Sequence, residues 1–195
     1  MDRRSTLVGT AIALATPLAG CLSEDDPGES TPNDGGEDDD PAETTDDGLE
    51  YEVHQVGFFR ATHDPLEDDA VGSLEVFESA ADAHDRAPLE AIDATDPSAT
   101  EEFVTETDFG TELLCSVVTE WPNTSDAAIE VDGLERRDDR LVATVRATGE
   151  DAGDDAPSYP VALVRVTVED DPPAELEMTI VDGRENEETL RADVS

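Results

Sequence analysis

Between Tyr51 and Val181 apolar residues return at alternate positions in short segments, cut apart by breaks rich in proline, glycine and aspartate. A period of two marks a strand with one buried face, and close spacing of such segments constrains the fold more than any single motif does. Tyr51–Arg60 opens the series, and Gly57 within it predicts a bulge that re-aims Phe58 and Phe59. Leu74–Phe77, Leu113–Trp121, Ala128–Leu134, Leu141–Arg146, Val161–Val168 and Glu175–Val181 follow. Leu113, Cys115, Val117 and Trp121 share one face of their segment. Val161–Val168 is the most apolar stretch, which predicts a central strand, and Arg137-Asp138-Asp139 predicts a tight turn closing a hairpin.

Two stretches carry helical signals. Ser79–Ala87 is alanine-rich and stopped by Pro88. A second begins at Asp96-Pro97-Ser98, where Ser98 and Glu101 have the spacing of a capping box; it should run to about Glu106 and bury Phe103 and Val104. After Gly183 the chain is charged enough that fraying is expected. About seven short strands with one or two short helices predict a mainly β domain, an antiparallel β-sandwich or open barrel, over residues 51–195.

The first 50 residues read differently. Arg3 and Arg4 precede an apolar run from Leu7 to Gly20 that is shorter than the roughly 20 residues a spanning helix needs. A basic start, a short apolar run and small residues at its end make residues 1–20 a signal peptide. Leu18-Ala19-Gly20-Cys21 resembles a lipobox, which implies cleavage before Cys21 and a lipid on its thiol. Arg3-Arg4 with Leu7 resembles a twin-arginine export signal, although the bulky residue expected two places after the pair is absent; a general secretory signal is the alternative. Residues 21–50 are almost all Asp, Glu, Gly, Pro, Ser and Thr, with too little to bury to offset ordering, which predicts a disordered acidic linker. The expectation is an exported protein, lipid-anchored to the outer face of the cell membrane.

Composition sets the solvent. The chain carries 52 acidic residues against 11 basic ones, and every basic residue is arginine. A formal charge of −41 destabilises a compact state in dilute buffer, whereas at about 1 M salt the Debye length falls to about 3 Å and most of that repulsion disappears. A lysine-free, carboxylate-saturated surface behind an export signal resembles the secreted lipoproteins of halophilic archaea. Without a basic stripe to neutralise phosphates, nucleic acid is excluded as a partner. A second resemblance covers residues 74–168: Asp108-Phe109 before an apolar strand, then a hairpin, a loop and a proline before Leu163-Val164-Arg165-Val166, is similar to the small C-terminal domain of protease-complex-associated proteins. The glycine-rich turn of that family is replaced here by Trp121-Pro122-Asn123-Thr124-Ser125, so no functional residue carries over. The resemblance implies an all-β interaction module.

Candidate chemistry is sparse. With Cys21 lipidated, Cys115 is the one remaining cysteine, set in an apolar strand face with no basic neighbour in sequence, and reads as a buried hydrophobe. No histidine follows Cys115, which rules out a blue-copper loop, and His54, His63 and His84 have no metal-ligand spacing. Asn123-Thr124-Ser125 is an N-glycosylation acceptor in an expected surface loop. Trp121 and Tyr159 line either an aromatic patch or the core. No catalytic residue, metal or cofactor is assigned. The reading is a cell-surface module that binds or scaffolds an unknown ligand or surface protein; a hydrolase using paired carboxylates and an accessory solute-binding component are the alternatives.

Overall fold

The computed structural model describes residues 43–44, 49–59, 65–66, 70–87, 92–124, 126–150, 152–168 and 172–194. Arg3, Arg4, Leu18, Ala19, Gly20 and Cys21, and also His63, lie outside the described residues. The strands are β1 (Glu43–Thr44), β2 (Glu50–Phe59), β3 (Gly72–Phe77), β4 (Ile92–Ala94), β5 (Glu112–Thr119), β6 (Ala127–Arg137), β7 (Arg140–Gly149), β8 (Pro160–Thr167), β9 (Glu175–Val181) and β10 (Glu187–Asp193). The helices are α1 (Ala80–Arg86) and α2 (Pro97–Glu106).

One sheet runs β1-β2-β8-β5-β3, with β4 also on β2; the other runs β10-β9-β7-β6. Leu113, Cys115 and Val117 of β5 meet Leu141 and Val145 of β7 and Met178 and Ile180 of β9 in the core between them. The fold is therefore the mainly β sandwich that the alternation predicts, and its sheets do not close into a barrel. β8 is central as expected, and β6 and β7 form the hairpin, turning at Asp138 (φ 58°) and Asp139. Aspartate is among the few residues that tolerate this left-handed conformation.

Four expectations need correction. Pairing is not wholly antiparallel: β7 and β9 are parallel, from Arg140↔Glu175 to Arg146↔Val181, because the intervening β8 crosses to the other sheet. The tail after Gly183 does not fray. β10 pairs with β9 from Glu187↔Val181 to Asp193↔Glu175, as an edge strand that needs backbone partners on one side only. Leu190 and Ala192 tuck against the core, Glu188 on the same face accepts from the Val71 backbone nitrogen (2.9 Å), and Glu187, Arg191 and Asp193 face water. The cap of α2 is Asp96, not Ser98: its carboxylate accepts from the backbone nitrogens of Ser98 (3.0 Å) and Ala99 (3.1 Å), with Pro97 starting the helix. Within α2, Val104 is buried but Phe103 is only partly so.

The helices account for another departure. With β4, they cover the outer face of the six-stranded sheet and build a second core from Val56, Phe59, Phe77, Val104, Leu114 and Leu163. β5 and β8 are thus buried on both faces, which explains why Leu113-Leu114 and Val117-Val118 break the alternation.

Two residues of β2 make local departures that fix the whole. The register slips between Gln55 and Gly57, inserting the buried Val56 as a bulge, and Gly57 takes φ 143°. A side chain at 57 would stand 2.3 Å from the Asp93 carbonyl oxygen of β4. One residue earlier, the Gln55 amide donates to the Ile129 carbonyl (2.7 Å) and accepts from the Ile129 nitrogen (3.1 Å), tying β2 to β6 of the opposite sheet.

Candidate functional site

The outer face of the six-stranded sheet carries the chemistry. Register places Glu75 of β3, Ser116 of β5, Leu163 of β8 and His54 of β2 in one row, and Ser73, Val118 and Val161 in the next. α2 covers the His54 end: the ring stacks on Phe103 at 5.1 Å between centroids, and Nε2 lies 2.9 Å from the Thr100 hydroxyl. Burial lowers the His54 pKa, with Asp96 acting weakly the other way, so the ring is neutral at pH 7. Arg165 reaches the same helix, its guanidinium 4.4 Å from the centre of the Phe103 ring and ion-paired to Glu52.

The other end of the rows borders a cavity of about 220 Å³, floored by Val56, Val118, Val161 and Leu163 and walled by Phe59, Ala87 and Ile92. Ser73, Glu75, Ser116 and Arg86 supply its polar groups. Arg86 is already engaged. Nη1 donates to Asp82 (2.8 Å) and to the Val76 carbonyl (3.1 Å), and the guanidinium sits 5.6 Å from the Phe77 ring centre. Glu75 is half-buried, and its carboxylate has no partner among the described residues. Apart from Ser116, buried by the floor, nothing in the alternation pattern pointed here; the signal available was the pair of polar residues Ser73 and Glu75 facing the same way as Phe77.

The residues singled out in sequence fall elsewhere. Cys115 is buried in the sandwich core, as its strand face predicted, and desolvation pushes its thiol up to about 12 against a weaker downward pull from a hydrogen bond with the Val164 backbone. Cys115→Ala is expected to cost about 1 kcal/mol, the scale of a small buried truncation. The native thiol should resist a thiol reagent in molar salt until the domain unfolds; rapid labelling of the folded protein would contradict the burial. His84 is exposed on α1. No three His, Cys, Asp or Glu side chains converge as a metal site among the described residues.

Asn123 lies in a loop whose Thr124 and Asp126 are exposed, but its own side chain turns inward. It is buried, its Oδ1 accepts from the Trp121 indole (3.1 Å), and its Nδ2 donates to the Glu150 carbonyl (3.3 Å). The cause is the bridge between Trp121 and Ser158, which folds the loop inward. A glycan on Nδ2 would have to be added before this loop closes. Trp121 packs over the backbone of Gly149 and Gly183, and Tyr159 is buried in the second core, so the two aromatics brace the sandwich and form no shared patch. Asp182 finishes this end, accepting from the nitrogens of Arg184 and Asn186 (2.8 Å each) and from the Asn186 side chain.

No described helix is long and apolar enough to cross a membrane. No family model, no curated protein and no solved structure matches the chain, so its site is read from its own geometry.

Proposed function

We propose that the chain is an exported lipoprotein of a halophilic cell, held to the outer face of the membrane by a lipid on Cys21, whose β-rich domain binds a small ligand rather than catalysing a reaction. The anchor rests on Leu18-Ala19-Gly20-Cys21 and the short apolar run before it. The observation that carries the binding reading is the cavity beside β3. Small-molecule sites are concave and mostly apolar, with a few polar groups that fix orientation, and the valine and leucine floor with Glu75, Ser73 and Ser116 at its side has that composition. Glycosidase-type hydrolysis calls for two carboxylates across the reacting bond; among the described residues the lining contributes one, Glu75.

Two measurements test the proposal. Cys21→Ala should shift the protein out of the membrane fraction; mature, cleaved protein that still sediments with membranes would remove the anchor. Titrating the full chain with n-hexanol in molar salt should move amide resonances of Val56, Ser116, Val118 and Leu163 in a saturable way. Shifts that stay linear or scatter over the surface would remove the binding site.

A further inference from the structure

We infer that the cavity beside β3 selects a small organic cation, an ammonium group on a short apolar body, through the carboxylate of Glu75. This rests on the binding reading above and adds the chemical class of the ligand. The argument is a charge balance within one cavity. Arg86 and Glu75 both line it, yet they are not ion-paired with each other. The charge of Arg86 is answered by Asp82 at 2.8 Å, and its nitrogen is further held by the Val76 carbonyl. Among the described residues Glu75 is left as the uncompensated charge, half-buried beside an apolar floor. Such a carboxylate loses hydration without gaining a partner, and a cation with donors to give restores both.

The hydroxyls define the rest of the chemistry. Ser116 stands directly across the strand pair from Glu75, and Ser73 is two residues along on the same face. Directly opposed side chains have Cβ atoms about 5 Å apart, close enough for one ammonium to reach the carboxylate and a hydroxyl together. Sodium at molar concentration competes for Glu75 but brings no apolar body to cover Val161 and Leu163. The cavity, at about 220 Å³, exceeds the roughly 150 Å³ that accommodates benzene, so a six-carbon chain is within its capacity.

The test compares three probes of equal length on the full chain in molar salt: n-hexylamine, n-hexanol and hexanoate, by resonance shifts or calorimetry at pH 7. Hexylammonium is expected to bind about tenfold more tightly than hexanol, the scale of one charge-assisted hydrogen bond, and hexanoate more weakly than hexanol. Glu75→Gln, with the shape kept, should equalise amine and alcohol while hexanol still binds. Glu75→Asp should keep the preference for the amine. Melting temperatures of both variants without probe establish that they are folded. An amine that binds no better than the alcohol, a preference that survives Glu75→Gln, or hexanoate as the tightest probe overturns the cation assignment and leaves the binding site standing. Failure of hexanol and hexylamine alike overturns the site itself.

Discussion

Diluted from molar salt to about 10 mM, the domain should lose its fixed tertiary structure and recover it when salt is restored. Between Tyr51 and Ser195 the chain sets 38 carboxylates against nine arginines. Nearly every described arginine is already used: Arg140 and Arg191 share Glu177, Arg146 holds Asp132 and Glu185, Arg165 holds Glu52 and Glu112, and Arg184 holds Glu120. At Glu177 partial desolvation acts upward, but the bonds from Arg191 and Arg140 outweigh it and keep the carboxyl below its usual range. Exposed pairs of this kind contribute little and gain only modestly on dilution. The unanswered carboxylates do worse. Glu102 and Glu106 are exposed one helical turn apart on α2, which has no basic residue in its last turn. As the Debye length grows from about 3 Å to about 30 Å, each such charge meets the rest of the domain's surplus rather than its nearest neighbour alone. Repulsion therefore wins over pairing. Circular dichroism and thermal melts across a salt series measure the result, and a melting temperature indifferent to salt would refute the argument for a halophilic protein.

Gly57→Ala should remove most of the domain's stability even in molar salt. Two costs act together there. At φ 143° an L side chain is strained, which alone costs about 1–3 kcal/mol. The added methyl also meets the Asp93 carbonyl oxygen at 2.3 Å and the Ala94 Cα at 2.9 Å, both backbone atoms that cannot swing aside. Relief would require β4 to leave β2, uncovering Val56, Phe59 and Ile92 of the second core. A total of about 4 kcal/mol or more is expected, in the range reserved for backbone strain combined with core disruption. Gly133→Ala is the control: at the bulge of β6 an added methyl has nothing within 4 Å, and the change should be neutral or slightly stabilising. Denaturant unfolding of the two variants beside the parent checks the contrast. Comparable midpoints for all three would mean that β4 does not hold β2 in the way described.

The strands were legible because their pattern is local. Alternation identified β2, β7 and β9, the apolar run identified β8 as central, and Gly57 announced its own bulge. What escaped was set by partners distant in sequence. The parallel pairing of β7 with β9 depends on where β8 goes, which no local pattern records. β10 looked too charged to pack because an edge strand needs backbone bonds and one half-buried face, not an apolar run. Three-residue β4 is a strand only because it pairs with β2 from Gly57 to Phe59. The cavity was illegible for a similar reason. Glu75 is one carboxylate among 52, and what distinguishes it is that Arg86, the one described cation in the cavity lining, has been taken by Asp82.

The Gln55 amide has a consequence beyond joining the two sheets. β6 ends its sheet, and at Ile129 the nitrogen and carbonyl that face away from β7 are filled by that side chain. Open strand edges invite another molecule to continue the sheet, and many proteins discourage this with charge. In molar salt charge reaches about 3 Å, less than the roughly 4.8 Å between paired strands. Electrostatic repulsion therefore fades before two edges come into register. A side chain that occupies both hydrogen-bonding positions is indifferent to ionic strength, so Gln55 supplies a barrier to chain-to-chain polymerisation in the one solvent where the acidic surface cannot.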